Sequence, residues 1–553
     1  MSGSRWSSRV LLLLLAMVLL WVYCYGISSN PLTWEEPRRC LVASEMIHRG
    51  DYIVPRLLGE VYVSKPPLQS WLVVLFSGNR ADLVGALPLR SVSVLSLIGI
   101  SLLLFVLARP GRTVLSAWLP ALIFLTMGIT VQYGRSGEMD ALFTLWVTAA
   151  LSCFEIGRRV RSPWLQWFAP QALLAGGILT KVLAPLFFYP PVLYRTLREC
   201  SKASFPVRAF AVGLLTAGVL VSAWLVPFAL RSRTGLLGDT LWRQLLRRTP
   251  AVRGAWDSVT NLFSFPVEVL GNLLPWSLLL LLWLMPGMRR EMRERYRTDP
   301  LHRLSVAVSV WTFLILWLMP GAKGRYMMPA YPFLAILLAH TVEASGRVLA
   351  GARQTGLLPR LRRWLRAAFV EGWVGWAAAA AVWTAGMLHV GAMPDSPSTW
   401  QPLCVGLIAV AAIAAWVRVG KTRTLPAAGL LLLGLLYAIS YSGVTAAHLA
   451  LRNARYVSVS ERIASFVDKP EPVICTDDVP RTVCYYVGHL LGRPLEIASP
   501  HNGAYYLIGS NEIGSTGGSA RAGRKVGSAD WLHVWEVTVE AGPSCGAPPD
   551  HGQ

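Results

Sequence analysis

The chain has 553 residues, of which 54% are hydrophobic and only 15% charged, with a formal net charge of +22. So apolar a composition excludes an ordinary soluble protein of this length, whose surface needs more polar residues. The basic excess does not point to nucleic acid, because the cations sit in short segments between apolar runs rather than on one polar face.

Apolar runs of roughly 18 to 20 residues, enough to cross a bilayer, recur along the chain. Met1–Gly26 opens with Arg5 and Arg9 and continues as an unbroken apolar stretch. It lacks a convincing small-x-small cleavage site, so an uncleaved first span is expected. The basic segments Arg109–Arg112, Arg158–Arg161, Arg195–Lys202, Arg289–Arg297, Arg347–Arg366 and Arg418–Arg423, with Arg5 and Arg9, hold about half of all Lys and Arg, as cytoplasmic loops do. Placing them inside gives expected spans at 9–27, 88–108, 113–131 and 139–157, then a hairpin of two crossings within 164–194. Further spans follow at 207–230, 266–287, 303–320, 326–344, 369–390, 402–418 and 425–447. That makes about thirteen crossings, with the N-terminus cytoplasmic and the C-terminus outside.

Three segments then face outward. The first, 28–90, carries two short amphipathic stretches, Glu36–Arg49 and Pro66–Phe76, suited to the membrane interface. The second is 231–265. The third is the polar tail, so the chain divides into a membrane domain, 1–450, and a small extracytoplasmic α/β domain, 451–553. In the tail, strands are expected at Pro472–Thr476, Val483–Val487, Ala504–Ile508 and Trp531–Val539, a helix at Ser460–Val467, and a flexible Gly/Ser-rich loop at 510–530. Of the eight cysteines, Cys475 and Cys484 share this tail, nine positions apart; a disulfide and two unpaired thiols both remain open.

Acidic residues are scarce, and an ionisable group beside a membrane span needs a partner or a task. Glu35 and Glu36 follow the first span. Arg38, Arg39, Asp51, Arg56, Glu60, Tyr62 and Lys65 come within the same loop, and Arg135 and Asp140 border the fourth span on the same side. A carboxylate there can take a proton from an acceptor, and Arg or Lys can bind a phosphate and stabilise it as a leaving group. Cations at headgroup level suit a lipid-linked phosphate. Charges that merely pair with each other and cap helix ends are the plainer alternative for any one residue.

The stretches Trp34-Glu35-Glu36-Pro37-Arg38, Arg49-Gly50-Asp51-Tyr52-Ile53-Val54-Pro55-Arg56 and Gly59-Glu60-Val61-Tyr62-Val63-Ser64-Lys65-Pro66-Pro67-Leu68 resemble the first external loop of bacterial aminoarabinose lipid A transferases. Those enzymes stand with the dolichyl-phosphate-mannose protein mannosyltransferases among the GT-C glycosyltransferases. Gly134-Arg135-Ser136-Gly137-Glu138-Met139-Asp140 is similar to that family's second acidic motif. Leu179-Thr180-Lys181 with Pro185 resembles its Leu-Thr-Lys-Gly-Pro segment, with Val182 in place of the glycine. Leu274-Pro275-Trp276 resembles a membrane-entry motif. Lys323-Gly324-Arg325-Tyr326-Met327-Met328-Pro329 resembles its Lys-x-x-Tyr-x-x-Pro segment. The likeness covers residues 10–345 and continues only in layout beyond them.

The resemblance implies a polytopic α-helical GT-C glycosyltransferase fold. The implied enzyme moves a sugar, with inversion at the anomeric carbon, from a polyprenyl-phosphate carrier to a lipid A-like glycolipid, glycan or protein at the outer face of the bacterial inner membrane. Arg38 and Lys65 would hold the lipid phosphate, with Arg56 beside them, and Tyr62 would line the same pocket. Glu35, with Glu36 beside it, and Asp140 would position or deprotonate the acceptor, and Arg135 would tune Asp140. Lys181, Lys323, Arg325 and Tyr326 are further candidates for headgroup or sugar contact. The family's aspartate is Glu35 here, one methylene and about 1.5 Å longer, and Arg39 stands where the family often has an aromatic residue. Either Glu35 or Asp140 can therefore be the key acid. Glu45 and His48 share a helical face, but with no third ligand no metal is expected, and no Gly-rich phosphate loop points to a nucleotide. The rival class is a transporter or flippase of lipid-linked saccharides; transporters usually carry paired broken-helix repeats, and 164–194 has no second copy.

Overall fold

The computed structural model describes residues 3–182, 184–199, 205–232, 255–351, 404–410, 425–497, 503–510 and 522–539. The span expected at 369–390 and most of that at 402–418 lie outside these residues.

The chain is a helical bundle capped at one end by a loop-rich layer and a small sheet. Helix α1 (Gly3–Cys24) leads into α2 (Glu36–Arg49), a short hairpin of β1 (Arg56–Leu57) and β2 (Glu60–Val61), and α3 (Leu68–Phe76). Both amphipathic stretches of the first loop are thus helices. Then come α4 (Ala86–Ala108), α5 (Val114–Leu125), α6 (Gly128–Gly134), α7 (Asp140–Arg159), α8 (Ala169–Lys181), α9 (Pro190–Glu199) and α10 (Val207–Ser232). The bundle continues with α11 (Ala255–Asn272), α12 (Pro286–Thr298), α13 (Pro300–Leu318), α14 (Tyr331–Gly351) and α15 (Leu425–Ser440).

Among the described residues five helices are long and apolar enough to cross a membrane, or up to seven if each bent pair is one span. The expected span 113–131 is one such pair: α5 and α6 meet at 70°. Thr126 ends α5, its hydroxyl donating back to the Leu122 carbonyl at 2.7 Å. The expected span 266–287 is the other, bent by 112° between α11 and the 3-10 turn Trp276–Leu284. The apolar count of a sequence window does not register such bends; buried neighbours decide them.

The two largest buried cores among the described residues organise the molecule. One lies inside the bundle, with Phe124, Phe154, Trp276, Tyr331 and Phe333 among its members. The other joins the first loop (Leu32, Cys40, Val42, Met46, Leu58) to the tail (Val473, Val483, Tyr485, Tyr506). The tail carries β3 (Val473–Cys475), β4 (Glu496–Ile497), β5 (Gly503–Gly509), β6 (Ala522–Ala529) and β7 (Leu532–Val539) in one sheet of order β4-β3-β5-β7-β6, with β3 parallel to β4 and β5, and β7 antiparallel to β5 and β6.

Two expectations for the tail are corrected and one is extended. Val483–Val487, expected as a strand, lies in helix α17 (Arg481–Leu491), because Val483, Cys484, Val487 and Gly488 fall on one buried helical face and Gly492 terminates it in the left-handed region. Part of the expected flexible loop, Ala522–Ala529, is strand β6, held by its pairing to β7 (Leu532–Val539). The helix expected at Ser460–Val467 is the end of a longer helix, α16 (Ala446–Ala464), which runs through the boundary expected at 450/451. Cys475 and Cys484 are buried, unbridged thiols in contact with each other.

Candidate functional site

The site begins where α1 gives way to α2. Trp34 adopts φ of 50° and turns the chain so that Glu35 and Glu36 start α2. The two acids then part. Glu36 is 1% exposed and accepts from the Thr33 amide at 2.7 Å and the Gly137 amide at 2.6 Å. Arg90, in the first turn of α4, donates to both its oxygens at 2.8 Å and also reaches the carbonyls of Ile27, Asn30 and Pro31. Burial alone would raise the Glu36 pKa; the Arg90 charge and hydrogen bonds, with the two amides, hold it below the usual carboxylate value instead. Glu35 stays half-exposed and pairs with Arg38 at 2.6 Å.

Gly137 carries this anchor into the loop before α7. Asp140 opens α7, where the helix N-terminus favours a carboxylate, and pairs with Lys181 Nζ at 2.6 Å. Lys181 sits in the last turn of α8, its ammonium 5.2 Å from the centre of the Phe143 ring. Arg135, expected to tune Asp140, turns away. Its guanidinium donates to the Tyr25 carbonyl, and burial lowers its pKa to about 10. It ends α6, which faces the exit of α1, whereas Asp140 faces the end of α8; the four residues between them do not put them on a common side.

Val182 follows Lys181 with φ of 52°. A β-branched residue is strained there and glycine is not, so Val182, standing where the resembling family has glycine, sits in a conformation that favours glycine.

From the other half of the bundle, the turn Gly324–Ala330 brings Arg325 into the group. Its guanidinium stacks 5.6 Å from the Tyr133 ring and 5.7 Å from the Tyr326 ring, and its nearest charges include Asp140 and Glu138. Lys323, two residues earlier, is exposed. In the first loop, Arg39 is buried and donates to the Tyr62 hydroxyl at 3.0 Å. Lys65 is half-buried. Arg56 donates to the Gly59 carbonyl of its own hairpin at 3.1 Å.

Sequence reasoning passed over Glu138. It is 4% exposed, and among the described residues its Oε1 has no hydrogen-bond partner. Burial raises its pKa, and so do the charges of Asp140 and Glu35, against Arg39 and Arg325. Its one sequence signal was an acid two places before Asp140 in a chain poor in acids. Arg90 was missed as well, because nothing in its position at the end of the first loop signals a pairing with Glu36, 54 residues earlier. The Glu45–His48 pair is engaged otherwise: Glu45 accepts from the Gly59 amide at 3.2 Å, and His48 contacts the carbonyls of Ser44 and Gly492. Among the described residues no three His, Cys, Asp or Glu side chains gather as metal ligands.

The tail closes over this layer. Tyr485 donates to the Val84 carbonyl at 2.6 Å, and the Leu32 amide donates to the Tyr486 hydroxyl at 3.0 Å.

The chain is similar to proteins named undecaprenyl phosphate-alpha-4-amino-4-deoxy-L-arabinose arabinosyl transferase. That of Aeromonas hydrophila is 26% identical over 339 residues, 59% of this chain and 58% of that protein. That of Edwardsiella ictaluri is 29% identical over 334 residues, 56% of each. The chain thus matches less than two thirds of the length of these relatives. No family model matches it. Its fold is that of ArnT from Cupriavidus metallidurans in a crystal structure bound to undecaprenyl phosphate, with a TM-score of 0.68, 17% identity and coverage of 98% of this chain and 100% of that one. The apo crystal structure of the same protein matches with a TM-score of 0.66.

Proposed function

We propose that this chain is a glycosyltransferase of the inner membrane that moves a sugar from a polyprenyl-phosphate carrier to a lipid A-like glycolipid, glycan or protein. One observation carries the reading. Residues from the first loop, the α6–α7 loop, the end of α8 and the turn Gly324–Ala330 converge, bringing Glu138 and Asp140 together with Arg39, Arg325 and Lys181. Buried acids beside cations suit the displacement of a phosphate from a sugar, and the relatives' names and the fold point the same way. The donor is an undecaprenyl-phosphate-linked pentose or hexose, and its lipid carrier spares the cell the export of a nucleotide sugar.

In this reading Arg38, Lys65 and Arg325 bind the donor phosphate, with Tyr62 and Tyr326 lining its place and Lys323 at the rim. Arg39 holds Tyr62. The Asp140–Lys181 pair orients the reacting groups, and Glu35 keeps Arg38 extended. Arg56 and Glu36 shape the loop rather than touch substrate, since the backbone of their own loop or the Arg90 guanidinium already engages them. Arg135 anchors the same layer through Tyr25. The layer faces away from the cytoplasm, with the N-terminus inside, about thirteen crossings in all and residues 451–553 outside.

The test is transfer itself. Purified chain in lipid nanodiscs receives labelled undecaprenyl-phosphate aminoarabinose and lipid A, and the product is read by mass. A glycosylated acceptor supports the reading. Label that crosses a sealed vesicle with no product would instead make this a flippase.

A further inference from the structure

Two carboxylates stand two residues apart at this site in opposite surroundings. Asp140 is ion-paired to Lys181 at 2.6 Å. Glu138 is more than nine-tenths buried, and its Oε1 has no hydrogen-bond partner among the described residues. A buried acid with no hydrogen-bond partner, set beside one that is ion-paired, can carry a proton. Among the described residues, the groups that act electrostatically with Glu138 are Asp140 from α7, Arg39 from α2, Glu35 at the start of α2, Arg325 from the turn Gly324–Ala330 and Tyr133 from α6. The donor phosphate bound by Arg325 therefore arrives beside Glu138.

Resting on the transferase reading, we infer that Glu138 is the proton donor to the departing polyprenyl phosphate. The acceptor oxygen bonds to the anomeric carbon as the bond from that carbon to the phosphate oxygen breaks. The electron pair leaves with the phosphate, and the Glu138 proton moves onto the phosphate, which departs as a monoanion. Glu138, left as a carboxylate, is reprotonated from solvent. Any proton on the acceptor goes to solvent, so the step balances.

Burial, with the adjacent Asp140 charge, raises the Glu138 pKa, so the acid form persists to higher pH than for an ordinary carboxyl. The charges of Arg39 and Arg325 oppose that rise, and Arg325 gives the phosphate its place. This division of labour leaves no proton-donating role for Glu36, whose oxygens are taken by Arg90, Gly137 and Thr33.

The full chain in nanodiscs, with labelled undecaprenyl-phosphate aminoarabinose and lipid A, is assayed from about pH 5 to pH 9 for the wild type, E138Q and E138D. The wild type loses kcat as pH rises through the Glu138 pKa. E138Q lowers kcat about 10²–10⁴-fold, leaves KM near the wild-type value and lacks that alkaline limb. A purely structural role would lower the rate alike at every pH. An E138Q enzyme with wild-type kcat, or with the same alkaline limb, overturns the assignment. Should E138Q not fold, E138D decides: an alkaline limb at reduced kcat supports the proposal and its absence overturns it. A wild type that gives no product overturns the transferase reading, which an altered E138Q profile cannot do.

Discussion

Arg90→Met removes a guanidinium that joins the exit of α1, the start of α2 and the first turn of α4. Glu36, 1% exposed, is then left as a buried charge with only the Gly137 and Thr33 groups as partners. Removing one partner of a buried ion pair costs about 3–5 kcal/mol. At about 2 °C per kcal/mol for a large domain, Tm falls by about 6–10 °C. The double variant E36L/R90M, which leaves no orphan charge, is less destabilised than the sum of the two single changes. Thermal unfolding in detergent, followed by tryptophan fluorescence, measures all three. An R90M Tm within about 1 °C of wild type, or additivity within about 0.5 kcal/mol, would refute the claim that this pair fixes the site layer.

The same pair gives a pH dependence. Glu36 has its pKa lowered from 4.5, so its stabilisation is fully present above that value and is lost as pH falls through the depressed folded pKa; E36Q flattens that acid limb of the unfolding curve. Asp140→Asn, Arg38→Ala and Lys65→Ala each abolish transfer while the protein inserts normally, and wild-type transfer by all three would sink the roles proposed for them. Val182→Gly relieves a positive φ and raises stability by about 1–3 kcal/mol; an unchanged or lower Tm contradicts the strain. Tyr485→Phe with Tyr486→Phe loses two hydrogen bonds between tail and first loop, about 0.5–1.5 kcal/mol each, and limited proteolysis should then cut the tail faster than in wild type.

Much of the site could be read without coordinates because its chemistry depends on residue type in a constrained setting. Few acids occur in so apolar a chain, so Glu35, Glu36 and Asp140 stood out at once, and the loop from Trp34 to Leu68 carried its own spacing. The amphipathic helices α2 and α3 were legible from periodicity for the same reason. The partners were not. Asp140 was matched to Arg135 by nearness in sequence, yet helix geometry gives it Lys181, 41 residues on. The strand expected at Val483–Val487 failed because a short apolar run fits either a strand or one helical face, and only its packing against the first loop decides.

By itself, then, the sequence determined that the chain lies in a membrane-spanning class, which loop carries the acids and cations, and which family that loop resembles. Those properties follow from composition, apolar length and local spacing. Tertiary structure alone decided which charges neutralise each other and which are left over. Burial and pairing depend on elements more than a hundred residues apart, as when Glu36 receives the Gly137 amide. Hence Glu36, prominent in the sequence, is a fully engaged anchor. Glu138, inconspicuous there, is the buried acid whose Oε1 is left without a hydrogen bond among the described residues.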